Sequence, residues 1–131
     1  VAYIILVKGD FNGATVGGLF TMLGFAAFGK HIFSVVPIML GVYIGTYFTV
    51  YEANSPGPML AALFGTCLAP ITGKFGPLAG LLAGFIHLQI VSVTGQIHGG
   101  MNLYNNGFAA GFVAMLFVAI IEGFKKLKED R

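Results

Sequence analysis

The uncharged stretches of this chain set its architecture. Asp, Glu, Lys and Arg are absent from residues 11–29, 31–51, 53–73 and 75–121, and the charges stand between these runs at Lys8, Asp10, Lys30, Glu52, Lys74 and Glu122. A helix needs about 20 such residues to cross the hydrocarbon, and a charge at its centre costs roughly 2.5 to 3.5 kcal/mol on insertion scales. The pattern therefore predicts helices over 14–29, 33–52, 57–71, 76–93 and 107–124, with the charges marking the interfaces. Apolarity all round each segment indicates spans packed against lipid and protein rather than amphipathic surface helices. The segment 57–71 rises only about 22 Å, short of a core near 30 Å, and is either a short crossing or a re-entrant half-helix. Residues 1–7 read as the tail of an earlier helix, so the chain is expected to be one transmembrane domain, residues 1–131, from a longer protein.

Composition supports this reading. Charged residues are 9% of the 131 against roughly 25% in a soluble domain, hydrophobic residues are 56%, and there are 20 glycines. The fold class expected is all-α: a polytopic transmembrane helix bundle of about five segments, with the lipid bilayer as solvent. A net charge of +2, with basic residues scattered until the tail at 125–131, builds no basic groove and excludes nucleic acid as a partner. The single cysteine, Cys67, can make neither an intramolecular disulfide nor a cysteine metal cage. Placing the basic tail in the cytoplasm puts Lys74 and Lys30 on the same side, with Lys8 against the rule.

Glycines recur four apart at Gly9/Gly13/Gly17, Gly41/Gly45, Gly76/Gly80/Gly84 and Gly107/Gly111, a spacing that lets helix backbones approach closely. A self-match at offset 94 sets Asn12, Gly13, Gly17 and Gly29 against Asn106, Gly107, Gly111 and Gly123 and suggests an internal repeat. Residues 94–107 form an island of neutral polar groups containing Gln96, His98, Asn102, Tyr104, Asn105 and Asn106. It is either a turn capped by Asn and Gly or a break lining a wet cavity, since bare backbone at membrane depth must be buried in protein or face water. Broken helices at paired repeat positions point to a transporter site. On that ground Asn12, His98, Asn102, Asn105 and Asn106 are the candidate substrate-binding residues, supplying donors and acceptors to a small neutral or weakly charged solute. His87 with Gln89 can assist or can serve as an interhelical hydrogen bond.

The sequence holds no GxSxG, HExxH, Walker-A or GxGxxG motif, and neither enzymatic activity nor a cofactor or metal is expected. The segments 9–21 (GlyAspPheAsnGlyAlaThrValGlyGlyLeuPheThr), 28–31 (PheGlyLysHis) and 98–114 (HisGlyGlyMetAsnLeuTyrAsnAsnGlyPheAlaAlaGlyPheValAla) resemble an uncharacterised family of bacterial polytopic membrane proteins known only as a domain of unknown function. The resemblance runs over the whole chain and implies the C-terminal part of a multi-pass protein of the bacterial inner (plasma) membrane, with no assigned activity. More loosely, Asn-Gly entering a glycine-rich helix twice is similar to the bacterial urea transporters, which would make Asn12 and Asn106 repeat-related turn residues. Residues 68–75 (LeuAlaProIleThrGlyLysPhe) match the urea-transporter stretch Leu-Pro-x-x-Thr-x-Pro-Phe only in part and carry Lys74. The function expected is a channel or transporter for a small polar solute, with the rest of the polypeptide and further copies of the chain as partners. The alternative is a non-transporting structural or assembly membrane protein.

Overall fold

The computed structural model describes residues 1–27, 29–97, 99 and 105–129. In chain order the elements are α1 (Ala2–Leu6), α2 (Gly13–Ala26), α3 (Ile32–Thr46), α4 (Pro56–Gly65), a 3-10 turn (Thr66–Leu68), α5 (Ala69–Phe75), α6 (Pro77–Ile97) and α7 (Asn105–Glu129). The fold is all-α, a bundle of apolar helices. Three of them are long and apolar enough to cross a membrane: Pro56–Phe75, Pro77–Ile97 and Asn105–Glu129. The first joins α4, the 3-10 turn and α5 into one rod of 20 residues, about 30 Å of rise, where the sequence suggested a shorter segment. Pro70 explains the continuation, because in the first turn of α5 it gives up no needed hydrogen bond and the helix restarts across the break.

The helix expected over 33–52 ends at Thr46. Threonine hydroxyls end it by taking over backbone groups: Thr46 donates to the Tyr43 carbonyl (2.7 Å), Thr49 to the Thr46 carbonyl (3.2 Å), and the Tyr51 N–H donates to Thr49 Oγ1 (3.3 Å). At the other extreme α6 outruns its expected end near 93. Thr94 keeps its hydroxyl on the Ile90 carbonyl (2.6 Å), and residues 94–97 of the polar island belong to α6.

α3 and α6 run parallel and meet backbone to backbone. A Cβ on Gly41 would fall on the Leu81 carbonyl oxygen, and one on Gly84 on the Ile38 carbonyl oxygen. Gln89 adds a cross-helix bond, its Nε2 donating to the Gly45 carbonyl (3.1 Å). The rod α4–α5 folds back on α6 as an antiparallel hairpin about Gly76, whose φ of +91° suits glycine. In this hairpin Thr72 faces Gly80 and His87 faces Gly65. Val35, Ile38, Leu68, Ala69, Ile71, Ala83, Ala110 and Val113 form the largest core cluster, and Ile4 of α1 is buried against Met59 and Leu63.

The glycine spacing thus carries two meanings. Gly41, Gly80 and Gly84 seat neighbouring helices, whereas Gly13, Gly17, Gly111 and Gly123 have nothing within 4 Å of the Cβ position. The two copies of the offset-94 match also differ in their settings: Asn12 caps α2 from outside, while Asn106 lies within α7, and Gly29 (φ +98°) follows the end of α2 while Gly123 sits inside a helix.

Candidate functional site

Lys30 is the residue around which polar groups gather. It follows Gly29, whose positive φ turns the chain after α2, and its side chain reaches the break between α4 and α5. Lys30 Nζ donates to Thr66 Oγ1 (3.2 Å) and stands 5.0 Å from the centroid of the Phe25 ring, a cation–π arrangement. Thr66 is buried, and its own hydroxyl donates to the Leu63 carbonyl (2.6 Å), a group left over as the α-helix tightens to 3-10. Thr66 lies midway along Pro56–Phe75, so the ammonium is held near the centre of a spanning rod rather than at its end. The residue lies between helices in the chain, but its head group turns inward.

A cavity of about 470 Å³ opens here between α2, α4, the 3-10 turn and the start of α7. Thr21, Lys30, Thr66, Cys67 and Asn106 supply its polar atoms, and Met22, Phe25, Leu60, Leu63 and Phe64 most of the rest. Lys30 and Cys67 also border a second cavity of about 300 Å³ with Gly29, His31, Ser34 and Pro70. Among the described residues no Asp or Glu lines either space.

Behind the cavity wall His87 is fully buried, with Cδ2 3.0 Å from where a Cβ of Gly65 would stand. Asn106 lies beside it. Neither ring nitrogen of His87, nor Asn106 Oδ1, completes a hydrogen bond among the described residues. Buried polar atoms are nearly always partnered, and the Asn106 side chain is the group placed to partner the ring.

The candidate residues named from sequence are distributed as follows. Asn106 lines the cavity. Asn105 opens α7, its amide 4.0 Å from the Cβ position of Gly95, and so bridges the end of α6 and the start of α7. Asn12 caps α2: its Oδ1 accepts from the N–H groups of Ala14 (3.0 Å) and Thr15 (3.1 Å), and Thr15 Oγ1 accepts the Asn12 N–H (2.8 Å). That capping box occupies the Asn12 oxygen at the opposite end of α2 from Lys30, and Asn12 does not line the cavity that Asn106 lines. Asn12→Ala is accordingly expected to cost about 1 kcal/mol of stability in a thermal or denaturant melt, with Asn12→Asp restoring most of it. His98, Asn102 and Tyr104 lie outside the described residues. Lys30, Thr66 and Cys67 escaped sequence reasoning. The available signal was a lone lysine in the apolar run PheGlyLysHisIle and the Thr-Cys pair ahead of Ala-Pro, where a helix breaks and restarts.

Residues 1–123 match the family described as protein of unknown function (DUF1576). No curated protein and no solved structure matches the chain.

Proposed function

The chain belongs to the DUF1576 family of proteins of unknown function, and from that premise we propose that it forms part of a membrane channel or transporter. The solute is small and polar, and it occupies the cavity bounded by Lys30, Thr66, Cys67 and Asn106. One observation carries this reading: an ammonium halfway along a spanning rod borders open volume instead of a carboxylate. Ionisable groups at such depth are costly and are retained mainly along solute or ion pathways. The helix break beside it is of the kind found in transporters, where irregular backbone is tolerated because it faces a cavity. The mechanism is desolvation of the solute offset by fixed donors and acceptors. The bilayer, the remainder of the polypeptide and further copies of the chain are its partners. The bacterial plasma membrane is its location, with Lys125, Lys126 and Lys128 of α7 on the cytoplasmic side.

The competing reading is a structural or assembly protein, favoured by the exposed apolar side chains of α7, among them Phe112, Met115 and Phe124. Flux of small polar probes into liposomes holding the full-length protein separates the two. Transport requires rates above those of protein-free vesicles and a drop of about tenfold or more in Asn106→Ala, roughly the loss of one hydrogen bond to a charged or desolvated partner. Rates equal to protein-free vesicles favour the structural role.

A further inference from the structure

We infer that the cavity beside the α4–α5 break is selective for small monovalent anions, with Lys30 as the specificity-determining residue; this rests on the transport reading and names its substrate class. The charge lining the cavity is the Lys30 ammonium, and among the described residues no carboxylate lines that space or the adjoining one. A like-signed wall of low polarity focuses that field and raises the local concentration of opposite charge about ten- to a thousandfold.

Thr66 Oγ1 already accepts from Lys30 and donates to Leu63, and the Thr21 hydroxyl donates to the Gly17 carbonyl (2.9 Å). Both hydroxyls have spent their O–H and can only accept further bonds, so the donors left for a solute are the remaining N–H groups of the Lys30 ammonium and the Asn106 amide, with the weak Cys67 S–H beside them. Asn106 Oδ1 is an acceptor, but the amide can turn to present its NH₂. A lining whose full charge is an ammonium, with no carboxylate among the described residues, suits an anion and does not suit a cation. The walls on the other sides, Met22, Leu60, Leu63 and Phe64, offer a cation nothing that would replace its hydration beyond the aromatic rings.

Size does not narrow the class further. At about 470 Å³ the cavity holds a small ion together with water, whose share of liquid volume is about 30 Å³ per molecule, so discrimination is by charge rather than fit.

Nitrate, urea and guanidinium test this directly, since all three are planar, have four heavy atoms and differ chiefly in charge. Full-length protein in liposomes, with the membrane potential clamped by potassium and valinomycin, is challenged with each in turn. The expected result is protein-dependent nitrate flux about tenfold or more above that of urea, with guanidinium slowest. Lys30→Met should remove the preference for nitrate and Lys30→Arg should keep it, each checked for a monodisperse folded protein. Urea or guanidinium moving as fast as nitrate through the unmodified protein overturns anion selectivity and leaves transport standing. All three probes at the protein-free rate overturn both readings. A nitrate preference that survives Lys30→Met removes Lys30 from the role.

Discussion

Gly41→Leu is expected to abolish the folded bundle, and Gly84→Leu to do the same. At both positions the added Cβ lands on main chain, the Leu81 carbonyl for Gly41 and the Ile38 carbonyl for Gly84, so no side-chain rotation can relieve the overlap. α3 and α6 would have to separate along their whole contact, losing the dispersion energy and the Gln89–Gly45 bond that hold them. Overpacking in a close-fitted core costs about 1 to 3 kcal/mol when side chains can yield, and the backbone-limited case belongs at or beyond the upper end. Size-exclusion profile and melting temperature in detergent are the readouts. Gly111→Ala is the control: its Cβ meets open space and should shift melting little. A Gly41→Leu protein that elutes and melts like the unmodified one would show that the two helices do not touch as described.

The second large effect has the opposite sign. His87→Leu should stabilise the protein by about 1 to 2 kcal/mol, because it replaces a fully buried ring, whose nitrogens complete no hydrogen bond of good geometry among the described residues although Asn106 stands beside it, with an apolar group of similar size. The packing around it is apolar on the neighbouring helices, with Ile38 close to Gly65 on one side and Leu88 on α6 itself buried in the core. If the ring is held for the cavity rather than for the fold, the gain in melting temperature comes with a loss of solute flux in the same variant, since His87 lies beside Asn106. A lower melting temperature would instead identify His87 as a partnered, stabilising residue and remove the argument from unpaired polar atoms.

Much of the fold can be read from the chain because lipid makes charge placement expensive. The uncharged runs located every long helix, and Asn12 before Gly13 correctly marked the start of α2, since its side chain has a local task that depends only on residues three apart. What escaped was decided by tertiary neighbours. Spacing four apart is identical for Gly41/Gly45 and Gly13/Gly17, yet the first pair lies against α6 and the second faces open space. Charge counting reads Lys30 as an interface residue because it sees the backbone position and not the long stem, which carries the ammonium to Thr66, a residue 36 positions on. The break at Thr66–Leu68 was missed because Thr, Cys and Leu carry no strong stop signal, and Pro70 resumes the helix. Asn106 was legible as part of a polar island. Its partners in the cavity, drawn from α2, α4 and the 3-10 turn, were not.

The proposed function requires an aqueous, positively charged space that reaches the middle of the Pro56–Phe75 rod, and Cys67 is placed to report on it. Cys67 lines the same cavity as Lys30 and is an exposed residue. The decisive measurement is the rate at which membrane-impermeant methanethiosulfonates modify Cys67 in intact proteoliposomes, followed by mass spectrometry of the Cys67 peptide. The account predicts modification by the negatively charged sulfonate reagent, about tenfold or more faster than by the trimethylammonium reagent, with the difference lost in Lys30→Met. Cys67 that reacts with neither reagent in the bilayer, yet reacts after denaturation, would mean the space is dry and the pathway does not exist.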